Sequence, residues 1–406
     1  MNKRLKTGTR TFILAMLLVL SGLYGYSART ASLTGNWNST ATWGGATVPT
    51  SADDVTINSG ITVTINATAS CLSMTNNGIL TATTFGITVA GAWVNNGTFN
   101  SGTSTVTFSG TSAAINSGTG TENFNNVATA SGATTLTINS AVTVGGSLTL
   151  SNTANTNSIT IASSNSITVS GTTSILRPTT SGSSTLNVGA GTLTTGVLTL
   201  GGSTSRNTTV TVSTGTVNVS GNFTGAGTFS QFTFSSNGTL KVGGSGTNAI
   251  PQNATLWTFT PSTGTVNFNA NGAQTVGVTT YNNLIFSGSG VKSMLASTSV
   301  TGNLNIRPGG VGTATTSIAT GQNLSVNTLS FADADQVAGT WGYSGRTNNN
   351  TTYFANTTGY LTVAKGPATK GVLTTQPSGA VNGVALTTQP VVQLQDASSN
   401  NVSTAA

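Results

Sequence analysis

Short alternations of polar and apolar residues fill most of this chain, and they carry the period of a β-strand. In Thr135-Leu136-Thr137-Ile138 and Thr209-Val210-Thr211-Val212, successive side chains of an extended segment point to opposite faces, one set inward and the other outward. Gly-Thr, Ser-Gly and Asn-Gly steps interrupt these runs every few residues, as tight turns require. Nothing beyond the first 25 residues has the period of a globular helix. With 36% apolar residues, abundant β-branched side chains and only eight prolines, the chain does not have the composition of a disordered one.

The alternations recur in blocks. One block runs Thr105-Val106-Thr107-Phe108, Phe124-Asn125-Asn126-Val127, then Val142-Thr143-Val144-Gly145-Gly146-Ser147-Leu148. A second runs Thr265-Val266-Asn267-Phe268, Tyr281-Asn282-Asn283-Leu284, then Val300-Thr301-Gly302-Asn303-Leu304. Val217-Asn218-Val219-Ser220-Gly221-Asn222-Phe223 echoes the third landmark between them. Repetition of short strands separated by Gly, Ser and Asn turns predicts an all-β fold, a right-handed parallel β-helix over about residues 31–365. At roughly 20 residues per coil the region makes some 15 coils, a rod of about 70 Å. An array of β-sandwiches is the alternative, and it needs antiparallel hairpins in domains of about 100 residues. The expected inward residues include Val106, Phe108, Val127, Leu148, Val219, Phe223, Val266, Phe268, Leu284 and Leu304.

The two ends differ from this pattern. Lys3, Arg4, Lys6 and Arg10 precede the apolar run Phe12–Leu20, and small residues follow at Gly25, Ser27 and Ala28. Residues 1–28 therefore read as a signal peptide cleaved near residue 27 or 28; the apolar run is too short for a span. That predicts an exported protein, secreted or on the cell surface, with no stable membrane span after cleavage. The repeat region is expected over residues 29–366, with an N-terminal cap from Trp37 to Val55 and no plain cap at its other end. Residues 367–406 form a separate C-terminal β segment.

Charge and chemistry narrow the function classes. The chain has no histidine, one cysteine and six acidic residues in 406, whereas acid–base catalysis, activated nucleophiles and metal sites need such groups close together. Beyond residue 28, nine basic residues face the six acids, a net of +3. They are scattered, without the basic, aromatic-rich face of a nucleic-acid binder, so no nucleic-acid partner is expected. Cys71 has no disulfide partner and sits in an alternating strand as a small buried residue. Asp53-Asp54 reads as a turn or cap at the solenoid end, its neighbouring side chains on opposite faces. Asp333 and Asp335 would lie on one side of an extended segment, where calcium binding is conceivable but a solvated loop is favoured. No catalytic, cofactor or metal residues are assigned, and an enzyme is not expected.

Two surface chemistries are open. Trp37, Trp43, Trp93, Trp257 and Trp341 could stack on sugars, which would make a cell-surface or matrix polysaccharide the partner, although burial is the commoner fate of tryptophan. Thr62-Val63-Thr64, Thr105-Val106-Thr107, Thr135-Leu136-Thr137 and Thr209-Val210-Thr211 resemble the water-ordering face of ice-binding solenoids, yet in sequence these units follow no fixed coil period.

Residues 34 to about 365 resemble the repetitive secreted surface proteins of Bacteroidetes and related bacteria. The resemblance rests on Gly35-Asn36-Trp37 through Trp43, Val48-Pro49, Asp53-Asp54-Val55-Thr56-Ile57, the blocks above, and the closing Gly339-Thr340-Trp341-Gly342 with Gly359-Tyr360-Leu361-Thr362-Val363. It implies an adhesin-like β-helix. Thr374-Thr375-Gln376-Pro377 and Thr387-Thr388-Gln389-Pro390 look like the first two strands of a bacterial immunoglobulin-like domain, which implies that the domain continues past Ala406. The function expected is a rigid extracellular shaft or matrix component. A carbohydrate-binding module, a filament self-associating end to end and an ice-binding solenoid are the alternatives.

Overall fold

A computed structural model describes residues 27–402 apart from 152–154, 203–204, 248, 278 and 310–311. It is all-β, 52% strand and 1% helical, and its parallel sheets stack as a β-solenoid of about 13 turns. The expected signal peptide lies outside the described residues except at its very end. There Ser27–Ala31 forms a strand paired in parallel with Asp53–Ile57, so one rung already precedes the expected N-terminal cap. That cap is a 3-10 turn, Thr40–Trp43, which packs Trp43 edge-on to Trp37 at 5.1 Å.

Two long sheets run along the solenoid. One has eleven strands, from Ser27–Ala31 to Thr258–Thr260; the other begins at Ala69–Cys71 and runs to Tyr360–Val363. A short third sheet completes the first coils, and Gln274–Val276, Gly290–Met294 and Gly312–Ile318 form a fourth after the eleven-stranded sheet has ended. The solenoid has fewer turns than the uniform period suggested. Neighbouring rungs lie 18 residues apart at Gln274 and Lys292 but 27 apart at Thr160 and Asn187, because loops of different length leave the corners while the rungs stay in register.

Register explains the sequence blocks. Val106, Val127 and Leu148 are direct partners on consecutive coils, and so are Val266, Leu284 and Leu304. All ten expected inward residues are buried in a single core cluster running from Ala31 to Val363. Each buried aliphatic side chain contributes about 1.5–3 kcal/mol relative to exposure. Where the eleven-stranded sheet gives way to the fourth sheet, bulky rings fill the changing cross-section: Trp257 stacks on Phe259 at 4.9 Å, and Phe259 meets Tyr281 at 5.7 Å.

The Phe-Asn-Asn-Val motif has a specific mechanical cause. At the corner after Phe124 the backbone ladder opens, and Asn126 Oδ1 accepts from the Ser147 amide of the next coil at 2.9 Å. Asn283 does the same for the Asn303 amide at 3.1 Å. The asparagine oxygen occupies the place a Cβ would take one residue earlier, 2.5 Å from an ideal Cβ at Gly146 and at Gly302. Asparagine on one coil therefore demands glycine on the next. Further along the corner, a Cβ at Gly196 would lie 2.6 Å from the Gly171 carbonyl oxygen, closer than real Cβ atoms come.

Antiparallel pairing concentrates beyond the last complete coils. Gly339–Gly342 runs antiparallel to Tyr360–Val363, and Phe331 stacks on Tyr353 at 4.4 Å and meets Trp341 edge-on. This closes the C-terminal end, where the sequence showed no plain cap. Beyond it, Lys370–Thr375 and Val391–Gln395 form an antiparallel pair with Val372, Leu373, Val391 and Val392 exposed.

Leu148→Ala and Leu304→Ala are each expected to cost about 2–5 kcal/mol in denaturant unfolding, the range for a buried leucine. Gly196→Ala is expected to lower stability, whereas Gly132→Ala, with open space around its Cβ, should be neutral or slightly stabilising. Equal effects at the two glycines would contradict the corner packing.

Candidate functional site

The six carboxylates are dispersed along the structure. Asp53 and Asp54 alternate as expected, one buried and one exposed. Burial alone would raise the Asp53 pKa, but Thr50 donates to it through its amide at 2.8 Å and its hydroxyl at 2.7 Å, and Arg29 lies 3.5 Å away; together these hold it below the ordinary value. It fixes the turn beneath the second rung of the eleven-stranded sheet.

Asp333 and Asp335 do not share one side of an extended segment. Ala332 and Asp333 both have positive φ, and the chain reverses so that Phe331 pairs with Ala334 and Ser330 with Asp335. Asp333 accepts from Asn305 Nδ2 at 2.7 Å and Arg307 Nε at 2.8 Å, contacts that lower its pKa. Asp335 instead accepts from Ser330 Oγ at 2.7 Å. The two carboxylates thus have separate protein partners. Among the described residues no group of three His, Cys, Asp or Glu is placed to hold a metal ion.

Sequence reasoning missed three buried ionisable groups. Glu122 points inward beside Phe124, and its Oε2 accepts from Trp93 Nε1 at 2.8 Å. Burial raises its pKa to about 7 against the lowering effect of that indole. Lys292 is fully buried, and its ammonium donates to the carbonyls of Ala270, Gly272 and Ser289 and to Gln274 Oε1, all within 3.1 Å. Burial lowers its pKa to about 8. Gln274 passes the pattern on, donating to the Val242 and Gly244 carbonyls, so this polar column supplies donors where the coil changes cross-section. Asp396 is held down to about 2 by the Gly366 amide, with Asn400 and Ser398 adding further donors. The period-two alternation carried a signal for the first two, since Glu122 precedes Phe124 and Lys292 precedes Met294 by two residues.

Cys71 is buried, and its thiol pKa is pushed far up by burial and then by Asp54, so it is inert as a thiolate nucleophile. All five tryptophans are buried, which removes them as stacking platforms for sugars. A cleft of about 530 Å³ lies between the last coils and the C-terminal hairpin, lined by residues including Asn303, Thr328, Asp335, Lys365 and Pro367. It offers hydrogen bonds, but Asp335 is the sole carboxylate on its walls, and glycoside hydrolysis ordinarily uses two. Among the described residues no helix is long and apolar enough to cross a membrane. No protein family, curated protein or solved structure matches the chain.

Glu122 makes folding pH-dependent. Its folded pKa of about 7 exceeds the ordinary 4.5, so the folded state keeps a proton that the unfolded chain releases. The stability this contributes is full below about pH 4.5 and is lost as pH rises through 7. Glu122→Gln retains an acceptor for Trp93 and is expected to flatten stability between pH 5 and 8, measured by denaturant unfolding. An unchanged slope would show that another group governs this range.

Proposed function

We propose that the chain acts outside the cell as a non-catalytic rigid shaft or matrix component of adhesin type. One observation carries this reading: a single uninterrupted core runs through the whole stack, so the coils support one another mechanically from end to end. The groups that ordinarily perform catalysis are few, and those described above brace turns, corners and the C-terminal junction. The outer surface is dominated by neutral Thr, Ser and Asn, which solvate a strand while keeping it extended.

Small-angle scattering and electron microscopy of the secreted chain test the proposal. About 13 turns at ~4.8 Å each give a stiff rod of roughly 60 Å, lengthened by the C-terminal segment. A discrete rod supports the shaft. Long fibres would favour a self-assembling filament, and a compact globule would overturn both.

A further inference from the structure

We propose that the outer face of the eleven-stranded sheet orders water and binds ice. Thr137, Thr160, Asn187, Thr211, Thr233 and Thr260 are direct register partners on six consecutive coils. The residues two positions earlier form a second column on the same face, with Ser158 and Gln231 interrupting four threonines. Of the four Thr-x-Thr units visible in the sequence, two lie on other sheets. The two at Thr135 and Thr209 share this face, and Ser158-x-Thr160 and Thr185-x-Asn187 fill the coils between them. Unequal coil lengths concealed the array in the sequence; the backbone register restores it.

The lattice is rigid. Between the columns, Leu136, Ile159, Leu186, Val210 and Phe232 are fully buried and anchor each rung from beneath. The register slip at Gly189 falls beyond both columns. Rungs repeat at ~4.8 Å and alternate side chains on a strand at ~6.7 Å, two spacings close to those of the prism face of hexagonal ice. Threonine suits such a surface because its β-branched side chain holds few rotamers and presents a methyl beside a hydroxyl. The methyls favour a cage of water, and the hydroxyls pin that cage at fixed points. Side-chain bonds along the columns are long, with Ser158 Oγ to Thr135 Oγ1 at 3.4 Å, Asn187 Nδ2 to Thr160 Oγ1 at 3.5 Å and Thr209 Oγ1 to Gln231 Oε1 at 3.2 Å. Thr258 instead turns its hydroxyl to the Thr228 carbonyl at 2.6 Å, and the remaining hydroxyls of the face are left to solvent.

The two columns carry no charged side chain and no aromatic ring. A dissolved anion or cation has nothing to pair with there, and a crystalline polysaccharide would be recognised through rings lying on the surface. A repeating, uncharged, preorganised face binds a repeating, uncharged solid, since the entropy of fixing its groups is already spent in folding. This inference is independent of the shaft reading.

Partition of the labelled, secreted chain into growing ice, with ice recrystallisation inhibition, tests it. The unmodified protein is expected to enter ice and suppress recrystallisation. The double variant Thr160→Lys with Thr211→Lys should lose both effects while keeping its β-type circular dichroism and melting transition. Thr194→Lys, outward on the other long sheet, should retain both. If the double variant fails to fold, Thr233→Arg tests the same array one coil on. Exclusion of the folded, unmodified protein from ice would overturn the inference, as would a folded double variant that remains fully active. Retention on insoluble cellulose or chitin without ice entry, abolished by the same double variant, would also overturn it and assign the face to a polysaccharide. A rod in scattering that shows no ice activity defeats this inference alone.

Discussion

Every residue in the stack is constrained by the residue one coil below it, because parallel backbone hydrogen bonds hold successive rungs in fixed register. Buried amides and carbonyls must find partners, and here each coil supplies them to its neighbours. With the backbone so committed, side chains sort into columns: Leu240, Val266, Leu284, Leu304 and Leu329 stack on one another in the core. The corner asparagines, the crowded glycines and the outward threonines all follow from the same demand.

Several of the scarce charges sit where this ladder is interrupted. Asp53 and Arg29 brace the turn under the second rung. Lys292 supplies donors where one sheet replaces another. Arg307, at the end of the strand one coil below, pairs with Asp333 in the reversing turn at the C-terminal end, and Asp396 gathers amides at the junction with the last segment. Within uniform coils the backbone and apolar columns satisfy one another, so few ions are needed there. A charge content of 5% is thus the composition of a structure that is mostly regular.

Strand period and repeated blocks were legible in the sequence because they depend on neighbours two residues apart and on landmarks such as Val106, Val127 and Leu148. Coil number was less legible, since loop length varies without altering the rungs. The shared face of Thr137 and Thr211 was hidden for the same reason, and also because Ser158, Asn187 and Gln231 substitute for threonine there. The Ala332-Asp333 turn escaped notice because neither residue is glycine, although the tight reversal has positive φ at both. Glu122 and Lys292 obeyed the alternation, but their charge argued against the inward face that they occupy.

The coupling of Asn126 to Gly146, and of Asn283 to Gly302, gives the molecule a grammar of whole turns. Neither member can change alone without leaving an amide unpaired or forcing two atoms into one space. Removing or inserting part of a coil would put the pairs out of phase, whereas adding a complete one restores every match. The length of such a rod is therefore quantised: it can be adjusted one turn at a time, like links in a chain, but not by single residues along its rungs.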